Sequence, residues 1–193
     1  EDFNTGIFSG EGSILYTLGI LYEIYDDIKY KEYFDKWLNC METLILEDRL
    51  FDMISGNSGI VLVLINMYRK TKKPIYLQKA IQIAEQLIEN MITENGKVGW
   101  KSEVVPEVLA GFAHGNSGFI ELFSRLYEVY PQTKYLDILS SLVEYENSLY
   151  SEKDNNWIDL RKFSEVDQHK SQPIAWCHGA AGILLSRLTL YNA

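Results

Sequence analysis

Apolar residues recur three or four positions apart along this chain, in two alternating kinds of segment. In "KEYFDKWLNCMETLIL", "PIYLQKAIQIAEQLIENMI" and "TKYLDILSSLVEYENSLY" they fall on one side, for instance Leu77, Ile81, Ala84 and Leu87, with charges opposite. That is the pattern of an amphipathic helix with a solvent face. The segments "IVLVLINM" and "ILLSRLTL" are apolar nearly all round, as a helix buried between neighbours would be. Pro74 is placed as a first-turn proline and Pro131 as a stop. Only "KVGW" and "NNWIDL" read as strands, and they are short.

The buried type of segment follows the same phrase each time: "FSGEGSILYTLGILYEIY", "ISGNSGIVLVLINMYRK", "AHGNSGFIELFSRLYEVY" and "WCHGAAGILLSRLTLYN". The anchoring glycines, Gly10, Gly56, Gly115 and Gly179, stand 46, 59 and 64 residues apart, room for a helix, a loop and another helix. Each polar-glycine knot is a helix start. Asn57 and Ser58, or Asn116 and Ser117, are expected to cap first-turn N–H groups at about 1 kcal/mol each. The first knot places its second glycine at Gly12, where the others have theirs one residue later, so its turn is expected to differ. Seven helices in inner-outer alternation predict an all-α fold, a partial α/α toroid in one domain over 1–193, with the inner helix N-termini gathered at one end. Such termini favour anionic or thiolate ligands.

A net charge of −9 over 193 residues argues against nucleic acid or an anionic membrane as partner. No apolar run is long enough to span a bilayer, and the start has no signal-peptide pattern, so the expected location is cytoplasmic. Cys40 and Cys177 lie far apart in different kinds of segment, which disfavours a disulfide framework. Cys40, on an outer helix, is read as packing.

Chemistry concentrates at the knots: Asp52, Ser55, His114, Trp176, Cys177 and His178. A thiolate at a helix N-terminus is a good zinc ligand, imidazole is the other common one, and imidazole also moves protons near neutral pH. Each residue has a plain structural alternative. Cys177 could be an inert buried thiol, His114 a cap or a satisfied core histidine, and Asp52 an acid that merely precedes a helix. His169, in "SEVDQHKSQP", reads as a solvated loop residue. Trp100 and Trp157 read as packing for the long loops, which could frame a peptide groove.

The motifs "GIFSGEGSI", "FDMISGNSGI", "GFAHGNSGF" and "AWCHGAAGI", in that order, make the chain resemble the lanthionine synthetase C-like family of lantibiotic cyclases over nearly its whole length. The resemblance implies an α/α toroid and zinc-assisted addition of a peptide cysteine thiolate to dehydroalanine or dehydrobutyrine. It also implies a dehydrated precursor peptide as partner. By motif it makes His114 the residue that protonates the enolate or helps to deprotonate the thiol, Asp52 a supporting acid-base or orienting group, and Cys177 a zinc ligand. The family draws its other two zinc ligands from a later Cys-His-Gly phrase that this sequence does not contain, and it does not use the histidine of the present phrase, His178, as a ligand. The chain is therefore expected to be a fragment. Zinc is expected in the complete parent, and absent or weakly bound in this chain. Inner helices left open are expected to drive self-association. The alternative reading is a non-catalytic peptide-binding module with a degenerate toroid. A toroidal glycosidase with paired carboxylates ranks third, since the knots offer only Asp52 and Glu11.

Overall fold

The computed structural model describes residues 4–101, 105–161 and 174–193. His169 lies outside the described residues. The chain divides into two compact units, Glu1–Glu89 and Asn90–Ala193.

The first unit holds α1 (Gly12–Tyr25), α2 (Ile28–Glu47), α3 (Ser58–Thr71) and α4 (Pro74–Glu89). It repeats itself on the 46-residue step. α1 and α3 are each 14 residues long and end on left-handed residues, Asp26 (φ 51°) and Lys72 (φ 57°). Their N–H groups reach back to the carbonyls of Tyr22 and Tyr68, the geometry that ends a helix cleanly even without glycine. α3 is buried on most sides, through Ile60, Val61, Val63, Leu64, Ile65 and Met67. α2 and α4 bury one stripe each, Phe34, Leu38, Met41 and Ile45 on the first, Tyr76, Ala80, Ile83, Ala84 and Leu87 on the second. The α4 stripe is turned from the expected one, with Leu77 and Ile81 only half-buried. Tyr76 takes the core position because its ring meets Phe34 edge-on (5.8 Å) and its hydroxyl donates to Asp35 (2.5 Å), so its polar end has a partner. Cys40 is exposed on α2, so the packing expectation for it does not hold.

The second unit holds the hairpin β1 (Ile92–Glu94) and β2 (Lys97–Gly99), then α5 (Asn116–Val129) and α6 (Thr133–Ser148). The hairpin β3 (Tyr150–Ser151) and β4 (Asn156–Trp157) and the helix α7 (Ala180–Asn192) complete it. The two strand-like segments of the sequence are thus β2 and β4. β1 turns into β2 through Asn95 and Gly96, both at positive φ, as a two-residue hairpin requires. α5 packs on α6 and α7, and Trp100 lies buried on Phe119 with ring centroids 3.9 Å apart. At the centre Glu146 of α6 is fully buried, bonded by Ser117 of α5 and Arg187 of α7. Burial pushes its carboxyl above the ordinary value, although Arg187 and Ser117 pull the other way.

Measured from the knot glycines, α2, α4 and α6 all begin at the same offset, at Ile28, Pro74 and Thr133. Two inner helices depart from the expected burial: α1 buries only Gly12 and Leu15, and on α7 Leu184, Leu185 and Leu188 are all more than half exposed. Among the described residues no helix is long and apolar enough to cross a membrane.

Candidate active site

The knots ahead of α1, α3 and α5 close by one backbone bond. The residue after the knot glycine donates its N–H to the carbonyl seven residues earlier: Glu11 to Asn4 (3.0 Å), Asn57 to Leu50 (3.0 Å) and Asn116 to Leu109 (2.8 Å). The first knot therefore closes like the others despite its shifted second glycine. A Cβ on Gly10, Gly56 or Gly115 would lie 2.3, 2.1 or 2.3 Å from the same carbonyl oxygen, which is why glycine stands there.

The asparagines do not cap as the sequence led us to expect. Neither α3 nor α5 has a side-chain N-cap bond. Asn57 Nδ2 instead donates to the carbonyl of Ile45 (3.3 Å), and Asn116 Nδ2 to that of Val98 (2.8 Å). Ile45 lies in the last turn of α2, where carbonyls lack intrahelical partners, so the Asn57 amide satisfies an otherwise open acceptor.

Within each unit the two knots dock on each other in the same way. In the first, Gly6 backs onto Ile54, where an added Cβ would come within 2.0 Å of the carbonyl oxygen. Ser9 Oγ donates to that oxygen (3.2 Å) and stands 3.5 Å from Ser55 Oγ. In the second, Gly111 backs onto the Cys177 carbonyl, 2.7 Å from an added Cβ, and the N–H of Ala113 donates to that oxygen (3.1 Å). Alignment on the knot glycines equates Gly6 with Gly111, Ile54 with Cys177, Ser9 with His114 and Ser55 with His178. The second unit thus repeats the docking with two histidines where the first has two serines.

His114 and Cys177, which the sequence singled out from different knots, are brought together by this docking. His114 is half-buried, and its ring stacks on that of His178, centroids 5.7 Å apart at 21°. His178 is the more buried of the pair, 8% exposed. Burial first, then the charge of Arg161 and that of His114, bring its pKa down to about 4 against the opposing pull of Asp159. It is a neutral ring at neutral pH. Asp159 is buried too, and Arg161 grips it through Nε (3.0 Å) and Nη2 (2.5 Å). Burial would raise the Asp159 carboxyl, but the Arg161 hydrogen bonds outweigh it and hold it below the ordinary range. A small cleft opens beside these groups, lined by Gly111, Trp157, Asp159 and His178 among others. Trp157 therefore belongs to the site's wall rather than to loop packing alone. Asn156 accepts the Ala180 N–H through Oδ1 (3.0 Å), fixing the start of α7 behind the knot. Asn156, Asp159 and Arg161 carried no sequence signal, because a short strand and a loop have no periodicity to mark them.

Asp52 stands in the first unit, 4% exposed. Its Oδ1 accepts the N–H groups of Ile54 (3.0 Å) and Ser55 (2.7 Å), so the carboxylate organises the turn ahead of α3. Ser55 faces Ser9, and Trp176 packs edge-on against Phe112. For zinc, the knots supply the half-buried thiol of Cys177. Among the described residues no group of three or more His, Cys, Asp or Glu side chains is placed to hold a metal ion. These residues do not by themselves fit a complete zinc site.

Comparison with known proteins agrees with this architecture. The chain is 30% identical over 174 residues to the lacticin 481/lactococcin biosynthesis protein LcnDR2 of Lactococcus lactis subsp. lactis, an alignment covering 83% of this chain and 16% of that protein. It superposes on nisin cyclase with a TM-score of 0.69 at 22% identity, covering 97% of this chain and 53% of the other. The second likeness is one of fold and bears out the all-α, α/α-toroid class read from the repeats. The chain spans only part of the length of both proteins. The family model for lanthionine synthetase C-like proteins matches residues 2–193, and the chain belongs to that family.

Proposed function

We propose that this chain is part of a lantibiotic cyclase that closes thioether rings in a dehydrated precursor peptide. The observation that carries the reading is the docking of the His114 knot on the Cys177 knot, which puts an imidazole and a thiol-bearing loop at one place. In the reaction a peptide cysteine loses its thiol proton, its sulfur bonds to the β-carbon of dehydroalanine or dehydrobutyrine, and the π pair moves onto the adjoining amide as an enolate. His114 takes the thiol proton and returns one to the α-carbon, so the sum is a plain addition. Asp52 acts as an orienting group by holding the turn of its own knot.

Zinc would supply a Lewis acid that favours the thiolate of the peptide cysteine. Cys177 is proposed as one of its donors in the whole enzyme, with the remaining donors outside the described residues. Zinc is accordingly expected to be absent or loosely held by this chain alone, which metal analysis after dialysis would check. The exposed leucines of α7 are proposed to drive self-association. Light scattering showing a monomer for both the chain and its Leu188→Glu variant would remove that proposal.

The test of function is ring formation by the full polypeptide carrying this chain, read by mass spectrometry after thiol alkylation. His114→Ala and Cys177→Ala are expected to abolish it, and unchanged rings in both would overturn the assignment. A second reading, a peptide-binding module without chemistry, is separated from the first by the same assay. Saturable binding of the dehydrated peptide with no turnover by the full polypeptide would select it.

A further inference from the structure

The second unit buries a histidine that the proposed reaction does not use. His178 follows Cys177, is 8% exposed, and presents its ring to His114 at 5.7 Å and 21°, within the range of a favourable offset stack. Its own placement is determined from two sides. Gly111 lies against it so closely that an added Cβ would come 3.0 Å from Nδ1 and 3.1 Å from Cα. The carbonyl of His178 accepts the N–H of Ala175 (3.0 Å), and His178 shares the lining of the small cleft with Trp157 and Asp159. In the first unit the aligned pair, Ser9 and Ser55, touches only through hydroxyls 3.5 Å apart. The docking therefore does not need rings, and the rings answer to something other than packing of the knots.

We propose that His178 is a positioning residue that fixes the plane of the His114 imidazole by stacking on it. This rests on the reading of His114 as the proton-transfer group. A proton delivered to one face of an enolate requires the donor nitrogen to be held in one direction, and a half-buried imidazole rotates about two side-chain bonds unless something covers its face. A neighbouring ring supplies that cover through its face. The role requires a flat ring and not an ionisable one.

The distinguishing variants are His178→Phe, which keeps a ring, and His178→Gln, which keeps a polar side chain of similar reach without one. In NMR spectra of the chain, the His114 ring proton signals should remain near their wild-type positions in the Phe variant and move and broaden in the Gln variant. Each is read against an unfolding midpoint measured for the same sample. In the cyclisation assay on the full polypeptide, His178→Gln should lower kcat by up to about 10²-fold, as a displaced catalytic group can, with KM little changed, and His178→Phe should restore most of the loss. His114 signals that are the same in the wild type and in a folded His178→Gln overturn the proposal, as does equal loss of kcat in the two folded variants. If the wild-type polypeptide forms no rings, the functional reading fails while the NMR comparison still decides whether His178 orders His114. If His178→Gln does not fold, His178→Phe decides: His114 signals displaced in that folded variant would refute the need for a ring alone.

Discussion

The two units solve the same packing problem with different side chains. In both, a glycine (Gly6, Gly111) lets one knot lie on the carbonyl of the other (Ile54, Cys177), and an inner helix starts from each knot. At the aligned contact positions the first unit has Ser9 and Ser55 and the second has His114 and His178. The core differs as well. Counted from the knot glycines, Glu146 and Arg187 of the second unit align with Met41 and Leu64 of the first, both buried. The scaffold is thus carried by glycines and backbone bonds, which tolerate exchange of the side chains around them. The second unit carries imidazole, thiol and buried charge at places where the first unit carries hydroxyls and hydrocarbon.

The sharpest way to break this comparison is to make the second unit resemble the first at a single position. His114→Ser installs the residue of the aligned position. It is expected to leave the unfolding midpoint of the chain nearly unchanged and to reduce ring formation by the full polypeptide about 10²- to 10⁴-fold, the usual range for loss of an acid-base group. Ser9→Ala, its counterpart, should leave ring formation unaltered. Comparable losses in the two would show that chemistry is not confined to the second unit's contact.

Next in size is Asp52. Removing its carboxylate takes the partner from the N–H groups of half-buried Ile54 and Ser55, at no more than about 1–3 kcal/mol for each. Asp52→Ala is expected to lower stability by about 2–4 kcal/mol in urea titrations, and Asp52→Asn, which keeps an acceptor oxygen, to recover most of that. If Asn instead behaves like Ala, the charge itself matters and the hydrogen-bond account is wrong. Gly6→Ala and Gly111→Ala come third. Each added methyl meets a carbonyl at the knot contact, and overpacking of this kind costs about 1–3 kcal/mol. The Gly6 change should be the worse of the two, since its added carbon would lie at 2.0 Å from an oxygen rather than 2.7 Å.

Much of this was legible in the sequence, for a physical reason. A knot that closes through a backbone bond needs glycine at one fixed place, so Gly10, Gly56 and Gly115 mark α1, α3 and α5; Gly179, at φ 107°, marks α7 from the aligned position, and Pro74 marks the start of α4. The convergence of His114 and Cys177 followed from the repeat, since equivalent loops dock alike. Side-chain bonding was not legible. Asn57 and Asn116 have the composition of caps, but a capping asparagine and one that donates to a distant carbonyl look the same until the neighbouring helix end or hairpin is in place. The stripe of α4 shifted because the hydroxyl of Tyr76 found Asp35 on another helix. The resemblance leaves His178 out of the zinc ligands, and nothing local in the sequence shows that its ring stacks on one from a different knot. Asp159 and Arg161 lie in a segment whose only signal was a short strand.

The smallest expected effect concerns the buried charge that distinguishes the second core from the first. Burial raises the Glu146 carboxyl above its ordinary value of 4.5, and Arg187 and Ser117 offset this only in part. A raised carboxyl binds protons more tightly in the folded chain than in the unfolded one. Its protonated form therefore contributes stability that is fully present below the unfolded value, near 4.5, and is lost as pH rises through the folded value. Glu146→Gln keeps the shape and removes the titration. The stability difference, wild type minus Glu146→Gln, should be level in acid and fall as pH rises above about 4.5. Urea midpoints measured across that range would show it, and a difference that rises with pH would mean that Arg187 outweighs burial. The paired change Glu146→Met with Arg187→Leu, which writes the first unit's residues into the second, should remove the slope altogether. It should also leave stability equal or higher, because a buried ion pair exchanged for well-packed apolar side chains is commonly neutral or stabilising. A marked loss in that double variant would show that Ser117, deprived of Glu146, needs the charge, and that the two cores are less interchangeable than their shared backbone implies.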